Sequence, residues 1–424
     1  MQHKSYSILF VLWTVLSMTL FLTTGCMLKR SATVHQPDSF TLRFNDEGKF
    51  KIAQFTDIHW ENDSLEKCAD ASRLIRHVLK EERPDLAVLT GDIVIQPSEE
   101  GWKAVTALFT EAGIPFAVVM GNHDDESEWS RDRIFDFLET IGGFVGSKGP
   151  ESISGVGNYI IGIRSAASNT AKSSTSASSG AAATSLSSDT SGTAGTSLSP
   201  SSSSSSTSST LATAIASSAS ASSSSASNDS SDLSVTSGKA ASAISPASPG
   251  STAALLYFLD SNSYGGDEKI STYGWIKFDQ IAWYREQSLK MTILNSGTPY
   301  PALAFFHIPL PEYKEIPGKE QTMGIKKEEE CSPKINTGML AAFVEMKDVM
   351  GVFVGHDHDN NYIGIHKGIA LAYGQKTGFS SYGSIGRGSR IIELREGERS
   401  FNTWIRTLEG TAYHYNYPSG KSFR

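Results

Sequence analysis

The spacing of apolar residues changes several times along this chain, and each change marks a predicted element. Phe40–Phe44 and Phe50–Thr56 read as two short strands turned at Asn45–Gly48. From Leu65 to Glu82 the apolar positions Leu74, Ile75, Val78 and Leu79 recur at helical spacing. Pro84 stops that helix before an unbroken apolar run, Leu86–Thr90, of the kind that forms a strand buried on both faces. Helix Trp102–Ala112 and strand Pro115–Met120 repeat the pattern. Further on, strands are predicted at Leu255–Leu259, Ala302–Phe306 and Gly351–Val354, and helices at Phe278–Lys290 and Gly338–Lys347. Several strands with Gly-rich turns follow over Tyr362–Arg406. Such alternation predicts an α/β fold built on parallel strands.

One long segment breaks the pattern. Ser165–Thr252 is almost entirely Ser, Ala and Thr, with no aromatic residue and hardly any charge, so it cannot bury enough apolar surface to offset its ordering entropy. The expectation is one domain over residues 40–408, interrupted by a disordered insert at 165–252 and followed by a C-terminal tail at 409–424. A long surface insertion is tolerable because loop-closure cost grows slowly with length. At the other end, Lys4, the apolar run Ile8–Leu22 and the small residues before Cys26 fit an export signal within residues 1–31; the run is short for a membrane span. Cys26 after Gly25 resembles a bacterial lipobox, with Thr23 where that pattern has Leu. An ordinary signal peptide and an uncleaved anchor are the alternatives to lipidation. The implied location is outside the cytoplasm, periplasmic or at the cell surface, with membrane anchoring through Cys26 as its stronger form.

Charge narrows the partners. Among 424 residues, Lys+Arg number 37 against Asp+Glu 45, a net charge of -8, so the basic footprint of a nucleic-acid binder is missing and none is expected as a partner. Beyond Cys26 only Cys68 and Cys331 remain, too few for a disulfide scaffold. Whether those two pair stays open at this point.

The chemistry lies at the predicted strand ends. Five stretches each follow a strand: Asp57-Ile58-His59, Gly91-Asp92, Gly121-Asn122-His123-Asp124, His307, and Gly355-His356-Asp357-His358. In open α/β sheets the carboxyl ends of strands are where functional groups gather. If the strands continue, Asp57 and His59 point the same way at i and i+2, and so do His356 and His358. Asp92 can bridge two cations, Asn122 offers a neutral oxygen, and Asp124 stands next to His123, where it could orient the ring. Taken singly, each stretch reads as well as a turn, a surface pair or a structural histidine. Jointly they supply donors for two divalent ions, and five of the 10 histidines fall in them. His3, His35, His77, His366 and His414 have no such setting. Tyr264, Tyr273 and Trp275 could wall the cleft or belong to the core, and Gly383–Gly388 with Arg387 could approach a phosphate or form a turn.

The ordered series Asp-x-His, Gly-Asp, Gly-Asn-His-Asp, His, Gly-His-x-His resembles that of the calcineurin-like metallophosphoesterase superfamily. Gly274-Trp275, Gln280–Arg285 and Tyr373–Gly388 are similar to its purple-acid-phosphatase-29-like and yeast cell-cycle phosphatase branch. The resemblance implies a four-layer αββα sandwich of two mixed sheets flanked by helices, and hydrolysis of a phosphate monoester or simple diester. It assigns Asp57, His59 and His358 to one metal, Asn122, His307 and His356 to the other, and Asp92 to both. A metal-bridging hydroxide would then attack phosphorus while His123 protonates the leaving group. Ile95 stands where purple acid phosphatases carry the iron-binding Tyr, and His59 where they have Gly, so Mn, Zn or Fe(II) is expected rather than a coloured ferric site. A catalytically silent phospho-ligand binder and a nucleotide phosphodiesterase or nuclease on the same scaffold are the alternatives.

Overall fold

The computed structural model describes residues 41–166 and 252–423. The expected export signal within residues 1–31, with Cys26, and nearly all of the Ser-rich insert lie outside the described residues.

The first sheet has six strands: β1 (Lys49–Phe55), β3 (Leu86–Thr90), β5 (Phe116–Val119), β12 (Ser389–Arg395), β13 (Phe401–Arg406) and β14 (Thr411–Tyr417), in the order β14-β13-β12-β1-β3-β5. Its half containing β1, β3 and β5 is parallel, and the rest antiparallel. The second sheet runs β10 (Ile363–His366), β11 (Ile369–Tyr373), β9 (Val349–Val354), β8 (Ala302–Phe305), β7 (Thr252–Phe258) and β6 (Tyr159–Arg164), parallel through its four central strands. A two-stranded ribbon, β2 (Trp60–Glu61) with β4 (Val94–Gln96), lies beside the first sheet's loops.

Alternation along the strands makes four layers. In β7, Leu256 and Phe258 face the space between the sheets, where Phe258, Phe305 and Phe353 stack at 5.4 Å intervals. Leu255 and Tyr257 face the other way and pack with helices α4 (Phe278–Leu294) and α5 (Met339–Met346). On the first sheet, Phe55 meets Phe109 of helix α2 (Ser98–Ala112) edge-on at 5.4 Å, and helix α1 (Leu65–Glu82) buries Leu74, Ile75, Val78 and Leu79 beside it. The fold is an αββα sandwich. One polar residue sits at the junction: the Gln54 amide donates to Thr90 Oγ1 at 2.9 Å and across the sheets to Val354 O at 3.0 Å.

Three expectations need correction. Phe44 and Arg43 do not pair back onto β1; the segment hydrogen-bonds to Arg164 at the edge of the second sheet, because the Asn45–Lys49 turn sends it across the sandwich. Residues 409–424 are not a detached tail, since Thr411–Tyr417 completes the first sheet and buries Tyr415. Helix α3 (Arg131–Leu138), started by the Ser130 hydroxyl, and strand β6 were absent from the expectation.

The parallel strands of both sheets point their carboxyl ends to one side. The anchors of the insert, Arg164 and Thr252, pair with each other at the opposite end of the second sheet, since β7 runs parallel to β8 and β9.

Candidate metal centre

The five strand-end stretches meet in one place. One donor atom each from Asp57, His59, Asp92 and His358 lies within 4.8 Å of the others, and so do donors from Asp92, His307 and His356. Asp92 belongs to both groups. His59 Nε2 is 3.0 Å from His358 Nε2, His356 Nδ1 is 3.3 Å from His307 Nε2, and His307 Nε2 is 3.2 Å from Asp92 Oδ2. All of these side chains are buried. The adjoining pocket, about 180 Å³, is lined by Asp92, Asn122, His123, His356 and His358 among others.

The side chains converge by a route the strand pattern did not anticipate. β1 stops at Phe55 and β9 at Val354, and Asp57, His59, Asp92 and His356 then take left-handed backbone angles, with φ of 52°, 49°, 53° and 80°. Turns rather than the pleat aim these donors, and in residues with a Cβ such angles cost about 1–2 kcal/mol each. Close packing holds the turns. A Cβ on Gly121 would lie 2.1 Å from Asp92 Oδ1, and one on Gly355 would lie 1.9 Å from Thr56 Oγ1.

Outer contacts fix the rings. His307 Nδ1 is 2.8 Å from Thr90 O and His358 Nδ1 is 3.0 Å from Tyr382 O; each carbonyl accepts from the Nδ1–H, which leaves Nε2 as the nitrogen facing the site. The Tyr382 ring also stacks on His358 at 4.1 Å. Asp57 is gripped by the Thr56 hydroxyl at 2.8 Å and by the His356 N–H at 3.1 Å, and buried Lys376 donates to its carbonyl at 3.2 Å. Burial alone would raise the carboxyl groups of Asp57 and Asp92; His358 beside the first and His307 beside the second hold both below the ordinary range. His307 goes the other way. Burial works against its proton, yet the Asp92 charge raises it to about 9, while burial pushes His356 down to about 3.

Two buried acceptors at the site have no hydrogen-bond partner among the described residues, Asn122 Oδ1 and His356 Nε2. The other end of the Asn122 amide donates to Tyr264 OH at 3.1 Å. A donor set of two carboxylates, four imidazoles and an unpaired carboxamide oxygen fits divalent cations of the Mn, Zn or Fe(II) type.

Asp124 does not orient His123. Its carboxylate accepts from the backbone N–H groups of Gly121, Asp92, Ile93 and Val94, tying two loops together, and burial raises it to about 6. The partner of His123 Nδ1 is Glu126 at 2.6 Å. The sequence does carry a signal for it, an acid three residues beyond the histidine. Burial lowers His123 and the charges of Asp92 and Glu126 more than compensate, leaving it above its usual value.

Sequence reasoning also missed Arg131, Asp357, Cys331 and Tyr382. Buried Arg131 donates to Asp260 at 2.7 Å and to Gly121 O at 2.5 Å, which fixes the loop carrying Asn122 and His123. Asp357, Cys331, Ser381 and Tyr382 line the pocket. Asp357 lies inside the Gly-His-x-His stretch and was readable there; Tyr382 arrives from a distant loop without local signal. Tyr264 and Tyr273 also line the pocket, whereas Trp275 lies under Lys277 Nζ at 3.1 Å. Arg387 folds back onto the carbonyls of Ile385 and Gly383, so its run is a turn. Cys68 and Cys331 are both free thiols.

Paired acid and imidazole clusters sharing one carboxylate, at the strand ends of a double-sheet sandwich, are the arrangement that a dinuclear metallophosphoesterase requires. Residues 50–165 match the profile described as calcineurin-like phosphoesterase, which supports that superfamily for this part of the chain. The relatives that the chain is similar to support the purple-acid-phosphatase-29-like and yeast phosphatase branch. It is 26% identical over 403 residues to the Arabidopsis thaliana protein described as "Probable inactive purple acid phosphatase 29", covering 86% of this chain and 84% of that one. It is 29% identical over 403 residues to the Saccharomyces cerevisiae protein described as "Phosphatase DCR2", covering 86% of this chain and 55% of the relative. A crystal structure of a dimetal phosphatase from Danio rerio superposes with a TM-score of 0.48 at 12% identity, covering 87% of this chain and 98% of that one. A phosphoesterase fold implies a phosphate-ester substrate, and the cluster supports two metal ions. Among the described residues no helix is long and apolar enough to cross a membrane.

Proposed function

We propose that this protein is a metal-dependent hydrolase of phosphate monoesters or simple diesters. Asp57, His59 and His358 would hold one divalent ion, Asn122, His307 and His356 the other, and Asp92 would serve both. When bound, such a pair supplies positive charge against the phosphoryl oxygens and the acidity that makes water a nucleophile. The chain's own residues do the rest. Asp92 is anchored by its place between His59 and His307, and its Oδ1 accepts the His123 N–H at 2.9 Å, which seats the histidine at the pocket wall. His123, held above its ordinary pKa, carries the proton that a departing alkoxide needs. Asp124 takes no part in proton transfer; it fastens the loops.

The observation that carries this reading is the membership of Asp92 in both donor groups. Elemental analysis combined with turnover of p-nitrophenyl phosphate under added Mn tests it: two ions per chain and turnover that Asp92→Asn abolishes are expected. A single ion with activity retained in that variant would refute it. The relatives named inactive favour a second reading, a silent protein that keeps its metals and captures phosphorylated ligands. Two bound ions without turnover on any ester would establish that one. We further propose that residues 1–31 direct export, with Cys26 as a lipid attachment point; mass spectrometry of the mature amino terminus distinguishes a lipidated Cys26 from an intact leader.

A further inference from the structure

Around His123 the structure closes a ring of hydrogen bonds. His123 Nδ1 stands 2.6 Å from Glu126 Oε2, the Tyr264 hydroxyl donates to Glu126 Oε1 at 2.8 Å, and the Asn122 amide donates to Tyr264 OH at 3.1 Å. Asn122 and His123 are neighbours in sequence, so the ring returns to its start. Tyr264 comes from the far side of the Ser-rich insert, in the loop after β7.

We infer that Glu126 is the positioning residue for His123, and that Tyr264 locks Glu126 to the Asn122 side chain, so that the leaving-group acid and a proposed metal donor are held in one frame. The chemistry requires such a partner. A neutral imidazole can carry its single proton on either nitrogen, and only a fixed acceptor at one of them decides which remains for the substrate. Asp124, the adjacent acid, is unavailable because four backbone N–H groups occupy its carboxylate. Glu126 supplies the acceptor: with Nδ1–H donating to it, a second proton on Nε2 is the one delivered to the alkoxide. After transfer the neutral ring keeps its proton on Nδ1, still donating to Glu126, and Nε2 is free to take the next proton from water. His123 and Tyr264 are both part-exposed at the pocket, where an untethered imidazole would sample several rotamers. Tyr264 prevents the same freedom in Glu126.

This inference rests on the reading of the chain as a phosphoester hydrolase with His123 as its acid, and its test separates the two. Full-length chain, wild type and Glu126→Ala, Glu126→Gln and Tyr264→Phe, is assayed on phenyl phosphates with graded leaving groups and on an alkyl phosphate. Loss of an aligned acid costs most where the leaving group is basic. The expectation for Glu126→Ala is a fall in kcat of on the order of 100-fold on the alkyl ester and only a few-fold on p-nitrophenyl phosphate, with KM and metal content unchanged. Glu126→Gln, which keeps an acceptor oxygen, recovers part of the loss, and Tyr264→Phe shows a smaller effect of the same slope. A uniform loss across all esters, or no loss, overturns the assignment. Nitrogen-15 spectra of histidine-labelled, zinc-loaded chain give a readout without turnover. The Nδ1 proton of His123, identified by its absence in His123→Ala, is expected in slow exchange in the wild type, absent in Glu126→Ala and present in Glu126→Gln. Should no ester be turned over, the hydrolase reading fails and these spectra alone decide: a signal unaffected by Glu126→Ala overturns the positioning role, and its loss upholds it.

Discussion

Replacing Gly355 by alanine tests how the turn carrying His356 is held against Asp57. The backbone at Gly355 is not left-handed, so the cost there is steric. An added Cβ would lie 1.9 Å from Thr56 Oγ1, 2.8 Å from Asp57 Oδ2 and 3.1 Å from Thr90 O. The Thr56 hydroxyl lies 2.8 Å from Asp57 Oδ2 and 3.0 Å from Thr90 O, and it cannot stay there beside a methyl group. Expelling it forfeits a hydrogen bond to a buried carboxylate, worth about 1.5–3 kcal/mol. Crowding of the sheet junction adds about 1–3 kcal/mol. Thr56→Ala removes the same hydroxyl without the crowding, so the double variant loses that bond once rather than twice. The two changes should therefore couple by about 2 kcal/mol. Urea unfolding of the metal-free chain measures the four corners of the cycle, and metal content of each variant reports whether Asp57 still binds. Strict additivity of the two losses would show that the Thr56 hydroxyl is not what Gly355 makes room for, and the argument would fail.

Three further outcomes are expected. Arg131→Met leaves the Asp260 carboxylate buried without its cation and should cost about 3–5 kcal/mol, with partial recovery in Arg131→Met/Asp260→Asn; thermal melts of both decide it. Glu82 accepts from Arg406 Nε at 2.6 Å and Trp404 Nε1 at 3.1 Å, contacts that outweigh burial and leave its pKa below 4.5 in the folded chain. Its contribution is present above pH 4.5 and lost as the pH falls through the depressed value, so Glu82→Gln should flatten the acid limb of stability against pH. Exchanging residues 167–251 for a flexible linker about eight times shorter should leave metal content and turnover unchanged while lowering loop-closure cost by about 2 kcal/mol, read as a raised melting temperature.

How much of this could be read from the sequence depends on where each signal resides. Helix α1 has the predicted bounds, Leu65–Glu82, and β3 those of Leu86–Thr90, because an amphipathic repeat and an unbroken apolar run are local signals. Helix α2 starts at Ser98, four residues before the predicted Trp102, since its first turn is polar and draws on Glu99 and Glu100 facing the helix dipole rather than on apolar spacing. Strand β14 does carry a local signal, since Tyr413, Tyr415 and Tyr417 alternate with His414 and Asn416, but it lacks aliphatic residues of any size, and as an edge strand half open to solvent it buries only Tyr415. The missed helix α3 has only eight residues.

The site divides along the same line. That Asp57, His59, Asp92, His307, His356 and His358 would meet follows from strand ends, which a parallel sheet brings to one side whatever the loops do. How they would meet does not follow, because the deciding contacts are between segments far apart in sequence. Whether Asp124 turns toward His123 or toward the backbone of the next loop depends on four N–H groups, three of them about thirty residues away. Once that carboxylate is taken, the neighbouring histidine needs another partner, and the turn places Glu126 within reach. The exchange of one acid for another is thus a consequence of the loop being fastened from behind. It also shows how left-handed angles are held in the site: Asp124 accepts from the Asp92 backbone N–H, and Thr56 and Lys376 bind the side chain and the carbonyl of Asp57, so the strain in those turns is opposed by groups that are not themselves metal donors.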